Sequence, residues 1–348
     1  MARGWSQTEL AHRAGVTRQL VSAVEAGRHV PNVTAALHLA RALDLPVEAL
    51  FSQAEPVVLG DDVLGGTPVL VGRVGDRTVS VPASCAAESW GVVDGVWDET
   101  GVDWFPGGTH AGLVIAGCDP IMGTVAGLAG QTGHRVLTVH ASTGRSVELL
   151  ADGRVHGVVV HSRAGDLPAP PAPVRRWHVA RWQVGLASAD VSASLDELVT
   201  TGAAVVQREA GAGAQQALVR ALRAGGANAP LPGPVGTGHI DVARRVAYGT
   251  GEAGVAMEAA AVAFNLGFTP LEEHDVELWL AEQWVGLPAA GAFLESLRSE
   301  GLAHQARLLA GYDRTRCGDE LTPAAPPPET TGEVPQPREP GSRADRKE

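Results

Sequence analysis

Lysine is almost missing from this chain: Lys347 is the only one, and arginine supplies the remaining basic charge, a bias we attribute to base composition. Cysteine is scarce as well. Cys85, Cys118 and Cys317 stand far apart with no CxxC pair, which excludes a zinc knuckle and a disulfide framework and fits a reducing compartment. The opening MARGWSQTEL has no apolar core of a secretory signal, and no run is long and apolar enough to span a bilayer. The expected location is therefore the cytoplasm. Positive charge is in deficit, at a net −12, which argues against a general nucleic-acid coat but leaves room for one local DNA-binding face.

Recognisable chemistry is also lacking. No Ser/His/Asp set sits in a G-x-S-x-G elbow, so no catalytic constellation, cofactor or metal is expected and the chain is not read as an enzyme. His156 and His161 are an odd number apart on one strand, so they point to opposite faces and cannot share a metal. His239 opens a helix and could reach a cleft, but is expected rather as a capping or surface residue. Asp94, Asp98 and Asp103 match no calcium loop and are expected as turn acids. GTGEAG, residues 249–254, has a helix before it and a strand after, the reverse of a dinucleotide fingerprint, so Gly249 is expected to end a helix. GAGAQQ has the right context but no third glycine.

What is present is enough apolar sequence for a sizeable core and length for two domains. Residues 1–53 carry helical patterns only. Residues 54–110 read as a linker and a hairpin, TPVLVGRVGDRTVSVPA turning at Gly75-Asp76. From Gly112, strands alternate with helices: GLVIAG, then a helix opened by Asp119-Pro120; RVLTVHA, then a helix capped by Ser142 or Thr143; then HGVVVHS. This order predicts a mainly parallel sheet covered by helices. The proline-rich GDLPAPPAPV is expected to mark a crossing between two lobes. Later strands are expected in RWHVARWQVGLA, AAVVQRE, AGVAM, FTPL and VELWLAE. The α/β part spans 111–320, and 321–348, rich in proline and charge, is expected to be disordered.

In SQTELAHRAGVTRQLVSAVEAG, Ser6 with Glu9 reads as a capping box, Ala11 is small where a second helix must approach, and Gly15 suits a turn of positive φ. Thr17 caps the next helix and Val21 falls on its buried face. Asn32 caps a third helix with Leu37, Ala40 and Leu43 inward. With SQTELA, AGVTRQLVSAVEAG and VPNVTAALHLARAL, these fifty residues resemble the lambda-repressor-like, or XRE, DNA-binding family. The resemblance implies a helix-turn-helix in which Gln7 contacts phosphate and braces the second helix. It places Thr17, Arg18, Gln19 and Ser22 on the exposed start of the recognition helix, where Arg suits guanine and Gln adenine, and Arg28 near a phosphate. The family packs this motif under a preceding helix, of which only MARGW remains here. We therefore expect Leu10 and Ala14 to be uncovered and translation to begin upstream of Met1.

The larger part resembles the periplasmic-binding-protein-like domain of cytoplasmic regulators, related to molybdate-binding proteins. The resemblance runs through GRVGDRTVSVP, VIAGCDPIMG, LLADGRVHGVVVHS, VVQREAGAGAQQALV, GHIDVARRVAYGTGEAGVAMEAAA, FTPLEEHDVEL and LAGYDRTRCGDE. It implies two α/β lobes closing on a small solute. Three strand-to-helix corners are candidate ligand positions, because free helix N–H groups attract anions. They are Gly117 and Cys118; Ser142, Thr143 and Gly144; and Gly211, Ala212 and Gly213, with Arg208 beside the last. Here the sequence departs from the family: Ala212, Ala214 and Gln215 replace hydroxyls and a second Arg, which removes donors an oxyanion would use.

These readings converge on a one-component transcription regulator. It is expected to bind double-stranded operator DNA as a homodimer and to sense a small solute, a molybdate-like oxyanion or another ligand. Two alternatives stay open: a molybdenum-cofactor-related enzyme, and a solute-binding module whose DNA-binding head is vestigial.

Overall fold

The computed structural model describes residues 5–25, 29–45, 56–60, 63–85, 93–98, 100–190, 194–227 and 230–321, with 47 and 50 singly. Arg28 and residues 322–348 of the predicted tail fall outside the described residues, whereas Leu321, expected to open that tail, is in a strand.

The head is built by three capped helices. In α1 (Gln7–Ala14) the Ser6 hydroxyl accepts the Glu9 amide at 3.2 Å, and Gly15 ends the helix at φ 63°. Thr17 accepts the Leu20 amide at 3.1 Å and starts α2 (Arg18–Glu25). Asn32 accepts the Ala35 amide at 2.9 Å and starts α3 (Val33–Leu43). Ala11, Ala14, Val21 and Leu39 form the small core, with Leu10 packed against it. Two expectations fail here. Ala14 is buried rather than uncovered, because α2 and α3 close over it. Leu37 is 39% exposed, because Ala35, Ala36, Leu39 and Ala40 take the inward stripe of α3.

Residues 57–104 do more than form a hairpin. β1 (Val57–Val58), β2 (Pro68–Val74), β3 (Arg77–Pro82), β4 (Gly95–Trp97) and β5 (Val102–Trp104) make a five-stranded sheet in the order β1-β3-β2-β4-β5. The β2–β3 turn falls at Gly75, as its sequence predicts. Asp94, expected as a turn acid, is a buried anchor: it accepts the Val71 amide at 2.7 Å and pairs with both terminal nitrogens of Arg135 at 2.7 Å. Leu70, Val74, Val79 and Val81 pack this sheet onto the main domain.

The main domain is one nine-stranded sheet with two ends. At one end, β6 (Leu113–Gly117), β7 (Val136–His140) and β8 (Gly157–Ser162) run parallel, with α4 (Ile121–Gln131) and α5 (Thr143–Ala151) as their crossovers. At the other end, β10 (Val205–Arg208), β11 (Val235–Gly236) and β12 (Ala253–Met257) run parallel, accompanied by α6 (Leu195–Thr201), α7 (Gly213–Ala224), α8 (His239–Ala247) and α9 (Glu258–Ala263). The proline-rich segment does not make the crossing. Two 15-residue antiparallel strands do: β9 (Val174–Ser188) and β13 (Gly267–Ala281). β13 pairs with β8 in the first lobe, and β9 pairs with β12 in the second. FTPL and VELWLAE are thus two stretches of one strand, whose register against β9 shifts at Pro270/Glu272 and Val276/Glu277. α10 (Pro288–Arg298) and α11 (Glu300–Ala306) cover α4, and β14 (Glu320–Leu321) adds to β9. Gly249 closes α8 at φ 75°, as expected.

Candidate ligand cleft and nucleic-acid interface

Parallel strands deliver their carboxyl ends, and the helix N-termini that follow, to one edge of a sheet. Here both lobes deliver them to the same seam. Gly144, in the first turn of α5, donates its amide to the Gly211 carbonyl across the seam at 3.0 Å. A Cβ on Gly144 would stand 3.1 Å from the Gly211 backbone, so only glycine lets the lobes meet this closely. At Gly238 (φ 122°) a Cβ would overlap the His140 ring.

The nine predicted cleft residues come together, though several of their donors are committed. Gly117 backs onto Val159 and Met122. Thr143 is tied to the His161 backbone, donating to its carbonyl and accepting its amide, each at 3.2 Å. The Ser142 hydroxyl caps α5 through the Arg145 amide. Ala212 is buried at the start of α7, and Gly213 lies against His161. Gln215 accepts the Arg208 amide at 2.8 Å and donates to Gln207 at 2.7 Å. The Arg208 side chain is fully buried. Its Nε and Nη2 donate to Glu209 at 3.1 and 3.3 Å, while Nη1 has no partner among the described residues.

Cys118 is the centre of a group the sequence did not disclose. Its sulfur lies 3.1 Å from His161 Nε2 and 3.9 Å from His239 Nε2. His161 Nδ1 is 2.8 Å from His274 Nδ1, and His274 Nε2 is 2.6 Å from Glu272, which Arg220 grips through two nitrogens. Hydrogen-bond logic fixes the protons. A carboxylate only accepts, so His274 carries its proton on Nε2 and accepts at Nδ1 from His161. His161 Nε2 is then bare and faces the Cys118 thiol. The Met257 amide donates to His239 Nδ1 at 3.1 Å, so the His239 proton sits on Nε2 and points at the sulfur.

Cys118, His161 and His239 bring their ligand atoms within 4.8 Å of one another, yet His239 has no lone pair facing that space. Arg208 adds a positive charge nearby. The group is therefore better suited to holding a neutral thiol than a cation. Burial, opposed by Arg208, pushes the Cys118 thiol up to about 11. Burial and then neighbouring positive charge hold His161 and His239 well below the usual histidine range. His239 is thus a buried cleft residue, not the capping or surface residue expected. His156 stands apart, accepting the Val114 amide at 2.9 Å.

In the head, Thr17, Arg18 and Gln19 are exposed and Ser22 is half-buried, so they share one accessible face of α2. The Thr17 hydroxyl is spent on the cap. Gln7 donates to Glu25 at 2.7 Å and so braces α1 against the end of α2.

A helix-turn-helix family model matches residues 1–50, and a model described as a PBP superfamily domain matches residues 126–298. The head is similar to an uncharacterised HTH-type transcriptional regulator, YgzD of Bacillus subtilis (strain 168), at 42% identity over 48 residues, 14% of this chain and 73% of that protein. The main domain is similar to the tungstate ABC transporter from Geobacter sulfurreducens (14% identity, TM-score 0.41, 57% of this chain and 97% of that one). It is also similar to the effector-binding domain of QuiR in complex with shikimate (10% identity, TM-score 0.40, 56% and 97%).

Proposed function

The chain belongs, through its first fifty residues, to the helix-turn-helix family of transcriptional regulators, and from that premise we propose that it is a DNA-binding regulator whose second domain senses a small anion. The observation that carries the sensing half is the fully buried Arg208 guanidinium at the seam between lobes, with one nitrogen unsatisfied and the N-terminus of α5 opposite. Glu209 answers the charge from the mouth of the seam but leaves Nη1 without a partner among the described residues, and a molybdate-like oxyanion or small carboxylate would satisfy it. Arg18 and Gln19 read base edges in a major groove, Thr17 and Ser22 border them, and Gln7 sets the helix that lies along the phosphates. Two heads in a homodimer would read an inverted repeat, and closure of the lobes would change their spacing.

Capture of genomic fragments by the full-length chain tests the DNA half. An enriched inverted repeat, with affinity falling steeply as salt rises, is the expected result. Retention of fragments without any common site would remove the regulator reading.

A further inference from the structure

The seam already holds an anion of its own. Glu209 follows Arg208 directly, and its two carboxylate oxygens take Arg208 Nε and Nη2 in side-by-side contacts. Ser142, at the N-terminus of α5 in the opposite lobe, lies beside this segment: its Oγ is 3.7 Å from where a Cβ on Gly211, two residues after Glu209, would stand, and it helps to keep the Glu209 carboxyl ionised. A carboxylate from the second lobe therefore stands where a bound oxyanion would meet both Arg208 and Ser142. Burial alone would raise the Glu209 carboxyl, but the charge and hydrogen bonds of Arg208, joined by Ser142, hold it below the usual range. It is an ionised carboxylate beside a helix N-terminus, where negative charge is favoured.

We propose that Glu209 is a tethered surrogate ligand: its carboxylate fills the anion position of the cleft and holds the lobes together, and a small carboxylate or oxyanion enters by displacing it. This rests on the cleft reading given above. Two further features agree with it. The Glu209 side chain is 40% exposed while Arg208 is 0% exposed, so the anion is at the mouth, where it can leave, and the cation is fixed within. The other donors around the seam are engaged or absent: Thr143 is held by His161, the Gly144 amide by Gly211 and Gln215 by Arg208 and Gln207, while Ala212 and Ala214 offer no side-chain donor. A site so depleted binds a free anion weakly, and a tethered carboxylate acts at an effective concentration on the order of millimolar or more.

The test is chemical rescue in the full-length chain, read by thermal melting at matched chloride ionic strength with formate, acetate, phosphate and molybdate as probes. Glu209→Ala should melt lower than wild type and recover with formate or acetate. Wild type should respond at least tenfold more weakly to the same anion. The double variant Arg208→Met/Glu209→Ala should not respond. Glu209→Gln, which keeps a hydrogen-bonding side chain while losing the charge, covers the case in which the alanine variant misfolds, and should be rescued at higher anion concentration. Equal responses in wild type and Glu209→Ala would overturn the surrogate while leaving the seam an anion site. Silence of wild type, Glu209→Ala and Glu209→Gln toward every anion would overturn both.

Discussion

Gly144→Ala should loosen the seam, and its effect can be worked out against an internal control. As a helix residue, alanine outranks glycine by about 1 kcal/mol. At position 144 that gain is opposed. The new Cβ would lie 3.1 Å from both the Cα and the carbonyl oxygen of Gly211, backbone atoms that must move by a few tenths of an ångström. Overpacking of this kind costs about 1–3 kcal/mol, and the Gly144–Gly211 hydrogen bond, worth roughly 0.5–1.5 kcal/mol, is stretched with it. The net expectation is a loss of about 0.5–3 kcal/mol. Gly127 lies inside α4, exposed, with nothing within 4 Å of its would-be Cβ. Gly127→Ala should therefore stabilise the same domain by about 0.5–1 kcal/mol. In a domain of this size each kcal/mol moves the melting temperature by about 2–4 °C, so melting curves should separate the variants in opposite directions. If Gly144→Ala rises alongside Gly127→Ala, the lobes do not meet as described.

Arg18→Ala should cost about 1–3 kcal/mol at one base pair and relax specificity there, measured by competition among single-base operator variants. Acid should weaken the fold partly through His156, which burial lowers from 6.5 to about 4. Below pH 6.5 the unfolded chain takes up that proton before the native one does. The stabilisation is therefore complete above 6.5 and fades as pH falls toward 4, by about 1.4 kcal/mol per pH unit or roughly 3 in all. His156→Gln should flatten urea-denaturation stability across that window, and an unchanged slope would refute the assignment.

The head was legible because its signals are local. Ser6, Gly15, Thr17 and Asn32 each cap or end a helix within three residues of themselves, and spacing alone locates them. Leu37 misled because the inward stripe of α3 is set by three alanines and Leu39 instead. In the main domain the strand-to-helix corners were legible for the same local reason. The Cys118 group was not. His161 lies near the end of one strand, His239 opens a helix and His274 lies inside another strand; the register of β13 against β8 sets His274 beside His161, and only the folded lobes bring His161 and His239 to one sulfur. The crossing was masked because FTPL and VELWLAE read as separate strands, whereas the polar Glu272, Glu273, His274 and Asp275 between them continue one strand, β13, paired along its length with β9.

If the state of the seam sets the grip on DNA, operator affinity of the full-length chain must change as the seam is altered. Fluorescence anisotropy on the captured duplex should show wild type and Glu209→Ala differing about 5- to 150-fold in Kd, the span of typical coupling energies, and formate or acetate should return the variant toward the wild-type value. Equal affinities for wild type, Glu209→Ala and Gly144→Ala, unchanged by any anion, would contradict a regulator that senses through this cleft.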